Sequence, residues 1–122
     1  MRFLSTGGAG SVGKDLTLSL LEKGHHVRVL DKNTDSLKSL SHENLEQING
    51  MVEDQPLVKE AIKDVDVVLH LAWSFSDNPI ELLEGDLKGH IVLLDEALDA
   101  KVSHFFYTST AVVYGKLVVS PI

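Results

Sequence analysis

Residues 5–14, STGGAGSVGK, fit two unrelated nucleotide-binding loops at once. Gly8 to Gly13 followed by Lys14 is one step from the G-x-x-x-x-G-K opening of a phosphate loop. Gly7, Gly10 and Gly13 also repeat as G-x-x-G-x-x-G, a glycine-rich turn of dinucleotide-binding folds. The position after the lysine separates them. A phosphate loop places Ser or Thr there to ligate magnesium, whereas Asp15 would set a negative charge close to the phosphates. The dinucleotide reading gives every glycine a role. Gly7 permits the tight turn, Gly10 lets backbone approach a pyrophosphate, and Gly13 lets the helix pack closely on the sheet. Amides near Ser11 and Val12 then face the anion at a helix start. Asp31 ends the next apolar run, 18 residues beyond Gly13, where a carboxylate accepts hydrogen bonds from the adenosine ribose. That carboxylate repels a 2′-phosphate and favours NAD over NADP, with the Lys32 charge beside it softening the preference. An ordinary glycine turn followed by an ordinary strand-end acid is the alternative.

These residues need elements to position them. RFLST (2–6) predicts a strand running into the turn. From Ser11 to Lys23, Val12, Leu16 and Leu20 recur every fourth residue, widened by Leu18 and Leu21, which predicts a helix with a buried face. Gly24 sits where a left-handed cap belongs. HVRVLD (26–31) reads as a second strand, 34–42 as a short helix capped by Thr34, and LEQING (45–50) as a weak third strand. QPLVKEAIK (55–63) reads as a helix with Asp54 as N-cap and a proline near its first turn. VDVVLHLA (65–72) is apolar enough to be a strand buried on both faces. A long helix follows from 79 to 100, with Ile80, Leu83, Leu87, Ile91, Leu94 and Leu98 along one side as core or as a subunit contact, weakened at Gly85 and Gly89. HFFYTST (104–110) supplies a fifth strand. Strands alternating with helices over short connections imply right-handed crossovers and a parallel sheet. The expected fold is one α/β, Rossmann-type doubly wound domain over residues 1–122, with strand order 3-2-1-4-5.

Composition narrows the partners. Eleven basic against 18 acidic residues, a formal charge of −7, argue against nucleic-acid binding, which needs a basic footprint. With no cysteine there is no disulfide framework or thiolate metal site. Of the six histidines, His25 and His26 are adjacent in a turn, His70 lies in the fourth strand, and His42, His90 and His104 are scattered. No helical H-x-x-x-H pair occurs, so no metal is expected, and His70 reads as a core histidine satisfied by backbone groups. The start is strand-like, without the pattern of a secretory leader, and no apolar run approaches the ~18 residues of a membrane span. A cytoplasmic protein without membrane contact is the expectation.

With TGGAGSVG, VLD and HLA on strands one, two and four, the chain resembles the extended short-chain dehydrogenase/reductase family, the NAD-dependent epimerase/dehydratases. FFYTSTAVVYG is similar to that family's serine-rich segment at strand five, and VEDQPLVKEAI to its adenine-binding stretch. The resemblance implies NAD as cofactor, with Asp54 and Gln55 at the adenine edge and Leu71, Ala72 and Trp73 lining the cofactor beyond strand four. It also implies Ser109 near the nicotinamide half and Thr110 as the catalytic Ser/Thr that hydrogen-bonds the reacting substrate oxygen. A nucleotide sugar or related small molecule is the implied substrate.

The departures are equally specific. Trp73 stands where the family has a second alanine, Asp86 where it has asparagine, His90 where it has threonine, and Met51 where it has aspartate. Trp73 and Phe75 could wall the site or simply cover the sheet edge. Family chemistry also uses a tyrosine and lysine spaced Y-x-x-x-K. Tyr107 is followed four residues on by Ala111, and Tyr114 by Val118, so neither has that lysine. The chain is therefore expected to be the NAD-binding portion of an epimerase/dehydratase-like oxidoreductase, inactive alone. A non-catalytic or redox-sensing module, or half of a site completed by a partner chain, is the alternative. The fifth strand is expected to leave an exposed edge, covered by KLVV (116–119) folding back, by a second copy or by a partner.

Overall fold

The computed structural model describes residues 1–116. Strands β1 (Arg2–Thr6), β2 (His26–Asp31), β3 (Leu45–Asn49), β4 (Val67–His70) and β5 (His104–Tyr107) form one parallel sheet ordered β3-β2-β1-β4-β5, as the alternation of elements implies. In the central register Thr6 is flanked by Leu30 of β2 and His70 of β4. The carboxyl ends of these three strands therefore meet at one edge.

Both faces of the sheet are covered, but by different partners. Leu4, Leu30 and Val68 pack against Val58 and Ile62, from the region of α2 (Gln55–Ala61), and against Leu93 and Ala97 of α4 (Lys88–Asp99). On the opposite face Val27 and Val29 pack against Leu21 of α1 (Ser11–Glu22) and Leu37. Strand β2 thus sends alternate side chains into two separate clusters, the arrangement of a doubly wound fold.

Helix α1 is rotated from the predicted stripe. Its buried diagonal is Gly13, Thr17 and Leu21, while Leu16 and Leu20 are half-buried and Val12 is 68% exposed. Gly13 causes this: a Cβ there would lie 2.3 Å from the Gly7 carbonyl oxygen, so the helix seats its smallest residue on the glycine turn. Gly24, at φ +82°, ends the helix as expected, its N–H donating to Leu21 O and that of His25 to Leu20 O.

Two other expectations need correction. The helix expected over 34–42 is a single 3-10 turn, Asp35–Leu37. Thr34 does not cap it; its amide and hydroxyl both donate to Asn49 Oδ1, tying the segment to the end of β3. The long helix is continuous but composite: α3 (Pro79–Glu81), a π turn (Leu82–Leu87) and then α4. The stripe expected as core or as a subunit contact, Ile80, Leu83, Leu87, Ile91, Leu94 and Leu98, is not core and faces outward at 41–77% exposure. Gly89, Val92, Leu93, Glu96 and Ala97 are buried instead. Small residues let the helix lie close to its neighbour: a Cβ at Gly89 would stand 3.2 Å from Val52 Cβ. Buried Glu96 accepts a 3.0 Å hydrogen bond from Gln55 Nε2.

Among the described residues β5 is the sheet's edge, with Phe106 and Tyr107 about half-exposed. The expected fold-back of KLVV extends outside the described residues. No helix among them is long and apolar enough to cross a membrane.

Candidate functional site

The shared carboxyl edge of β1, β2 and β4 opens into a cavity of 410 Å³. Its floor is the glycine turn. Gly7 takes φ +69°, donates its N–H to Leu30 O at 2.9 Å, and has no room for a Cβ, which would lie 2.7 Å from Ala72 N. Only glycine satisfies both the conformation and the contact. Gly10 then starts α1 in an extended conformation with no side-chain cap and no acid in the first turn. The first amides of α1, among them Ser11 and Val12, keep their partial positive charge for an external anion. Ser11 and Val12 are exposed and do not line the cavity, whereas Gly7 and Gly10 do.

Asp31 lines the same cavity from β2. Its Oδ2 accepts from Ala9 N at 3.0 Å and its Oδ1 from Asn33 N at 3.1 Å. The carboxylate therefore fastens the glycine turn to the end of β2, while Ser36 Oγ donates to Ala9 O at 2.6 Å. Lys32 also lines the cavity.

At the end of β4 a short hydrogen-bond chain ties the strand to β1. Thr6 Oγ1 accepts from Ala72 N at 3.4 Å and lies 2.6 Å from His70 Nδ1. Burial pushes the His70 pKa down from 6.5 to about 4, the nearby His90 adding to the effect and Asp86 opposing it. His70 is buried as expected, but a threonine hydroxyl, not backbone, satisfies Nδ1. His90 stacks on it with ring centroids 5.1 Å apart.

Leu71, Ala72 and Trp73 continue from β4 along the cavity wall, with Trp73 45% exposed. Asp86, across from them, accepts from Ser74 N at 2.9 Å and from Ser74 Oγ at 2.6 Å. The acid that replaces an asparagine thus has two donors.

The remaining residues suggested by sequence lie elsewhere. Asp54 caps α2 by accepting from Leu57 N at 3.2 Å, and the Gln55 amide is bound to Glu96; neither lines the cavity. Gly50, Met51, Val52 and Glu53 occupy that wall instead. Register explains the difference: the wall follows directly from the end of β3, and Asp54 already belongs to the next helix. Ser109 and Thr110 are exposed and outside the cavity lining, and Thr110 Oγ1 accepts from Val112 N at 3.3 Å to cap the turn Ala111–Tyr114. Asn33, Ser36, Met51 and Val52 line the cavity although no motif marks them as ligand-binding. Their signal is positional, since each follows the carboxyl end of a strand. Among the described residues no group of three His, Asp or Glu side chains could hold a metal ion.

The family model for NAD-dependent epimerases/dehydratases matches residues 4–121. The chain belongs to that family. Among its curated relatives, a protein of Methanocaldococcus jannaschii described as an uncharacterized membrane protein is 38% identical over 117 residues, covering 88% of this chain and 35% of its own length. The UDP-glucose 4-epimerase of Yersinia enterocolitica is 33% identical over 134 residues, covering 95% of this chain and 39% of its own length. The solved UDP-glucose-4-epimerase of Stenotrophomonas maltophila, with bound NAD and formylated UDP-arabinopyranose, superposes with a TM-score of 0.83 at 28% identity. That match covers all of this chain and 40% of that one. The chain thus spans about two-fifths of the length of these family relatives.

Proposed function

We propose that this chain binds NAD(H) in the cleft at the carboxyl edge of its sheet, as the cofactor-binding portion of an epimerase/dehydratase-like oxidoreductase acting on a nucleotide sugar or related hydroxyl compound. The observation that carries the reading is the Asp31 carboxylate fastened to the Ala9 amide above a turn in which Gly7 admits no side chain. These residues fit a dinucleotide. Asp31 meets the adenosine ribose, the open amides at Ser11 and Val12 meet the pyrophosphate beside Gly10, and Gly13 seats the helix that carries them. Met51 and Val52 offer the adenine an apolar wall in place of Asp54 and Gln55. NAD, when bound, supplies the hydride acceptor.

What these residues do is bind, orient and exclude water. Leu71, Ala72 and Trp73 cover the cofactor beyond β4. Neutral His70 holds the Thr6 hydroxyl, and through it the Ala72 amide, in place. Thr110 would orient a substrate oxygen only after leaving its present capping bond, and Ser109 would approach the nicotinamide half with it. With no tyrosine–lysine pair among these 122 residues, the chain by itself binds cofactor without turning over substrate.

Titration of the chain with NADH, exciting Trp73, tests this. The expected result is quenching with energy transfer to the reduced nicotinamide, weaker with NADPH, and weakened again by Asp31→Ala. Magnesium ATP should not compete. Absence of any response to either dinucleotide, confirmed by calorimetry, would overturn the proposal.

A further inference from the structure

Residues 71–78 belong to no helix or strand, and Leu71 to Phe75 form a wall of the cleft. Their geometry is nevertheless closely determined, and the hydrogen bonds trace back to Asp86. Ser74 gives both its amide and its hydroxyl hydrogen to that carboxylate, at 2.9 and 2.6 Å. The Ser74 oxygen then accepts from Ser76 N at 3.2 Å, Ser76 Oγ accepts from Asn78 N at 3.0 Å, and Asn78 Oδ1 accepts from Ile80 N at 2.9 Å. The relay ends at the first turn of α3.

Two further features mark the segment. Phe75, between the two bonded serines, holds φ +56° while its side chain is 86% exposed. Left-handed backbone is costly for a bulky residue and persists only where the surroundings enforce it. Asp86 itself lies in the π turn, next to Gly85, and both line the cavity. Turns of this wider winding recur at functional positions. The only residue between Ala72, held by Thr6, and Ser74, held by Asp86, is Trp73.

We propose that Asp86 is a positioning residue: through Ser74 it fixes the backbone on one side of Trp73, so that the indole stands as a preset wall of the cleft. The inference rests on the dinucleotide reading for its ligand, but its first consequence concerns the empty chain. Without the Asp86 bonds, Phe75 loses what holds it left-handed, the segment relaxes, and Trp73 moves further into solvent.

The test uses the full chain and three variants: Asp86→Ala, Asp86→Asn and Ser74→Ala. Trp73 emission and acrylamide quenching are measured without ligand, and NADH affinity separately, with thermal melts as a control for folding. In D86A the emission should shift to the red, quenching should rise, and NADH should bind about tenfold more weakly, the scale of losing hydrogen bonds to a charged group. D86N should return both readouts to those of the parent, because its amide oxygen can accept from Ser74 N and its NH₂ can donate to Ser74 Oγ. Unchanged emission and quenching in a folded D86A would overturn the proposal. So would a D86N protein that behaves like D86A, since the charge and not the tether would then be acting. If D86A does not fold, S74A, which keeps the amide bond to Asp86 but loses the hydroxyl bond and the link to Ser76, should shift emission and quenching in the same direction by a smaller amount, and no shift at all overturns the proposal. Failure of the parent to bind NADH would defeat the dinucleotide reading alone, leaving the emission data to decide on Asp86.

Discussion

Acidification should weaken this fold through His70 well before its carboxylates are protonated. In the folded chain burial, with the nearby His90 adding to it and Asp86 opposing, lowers the His70 pKa to about 4 from the usual 6.5, so the ring stays neutral. A depressed histidine pKa means that the unfolded chain takes up the proton first. Stability is therefore full above pH 6.5, falls as the pH drops below it, and levels off once the folded state also protonates near 4. At pH 5 the unfolded imidazole is almost wholly charged and the folded one almost wholly neutral. Weighting the two states gives a loss of about 2 kcal/mol relative to pH 7.5. With a urea slope of roughly 1–3 kcal/mol per molar, the unfolding midpoint should fall by about 1 M. Glu46, held below its usual value by its hydrogen bond with Arg28, adds pH dependence only below 4.5 and does not confuse the interval. His70→Asn supplies the control, since its amide can hydrogen-bond the Thr6 hydroxyl as donor or acceptor without titrating. If that variant loses as much stability between pH 7.5 and 5 as the parent, the assignment of the effect to His70 is refuted.

Other substitutions test separate parts of the structure. Gly7→Ala should lower stability by more than the ~1 kcal/mol of an ordinary strained position, because a clash with the Ala72 backbone adds to an unfavourable φ; a thermal melt and an NADH titration should both register it. Glu96→Gln, read by urea unfolding at pH 7, should be neutral or stabilising, since the amide can still accept from Gln55 while a buried charge disappears. Glu96→Ala should instead cost about 1–3 kcal/mol by leaving the Gln55 amide and a void behind.

The sheet was legible in the sequence because its signals are local and redundant. β1, β2 and β4 carry apolar residues at successive or alternate positions, β1 and β3 run into glycines, and Gly24 and Asp54 mark a helix end and a helix start by backbone needs that few residue types meet. The faces of the helices were not legible. In α1 and α4 the large aliphatic residues suggest one buried side, yet the helices are seated by Gly13 and Gly89, where the absence of a side chain decides the contact. Periodicity counts apolar residues and cannot see space. The same distinction divides the site. Asp31 and Gly7 follow from strand ends and spacing, whereas nothing in the chemistry of Met51 and Val52 announces a ligand. Asp54 caps its helix as its place before QPLVKEAIK suggests, and it does not line the cavity. Asp86 stands out as a departure from the family pattern, but its bond to Ser74 needed three dimensions.

Ala9 is gripped from both sides before anything binds: its amide by Asp31 and its carbonyl by Ser36. A floor that is already rigid leaves no slow rearrangement to set the speed of ligand capture, so encounter itself becomes the governing step. Here the protein's own field enters. A chain with seven excess negative charges repels an anionic dinucleotide at long range, and dissolved salt shortens the reach of that repulsion. Association with this cleft is thus one that added electrolyte speeds up, the reverse of the behaviour of sites that draw phosphates in with lysine and arginine.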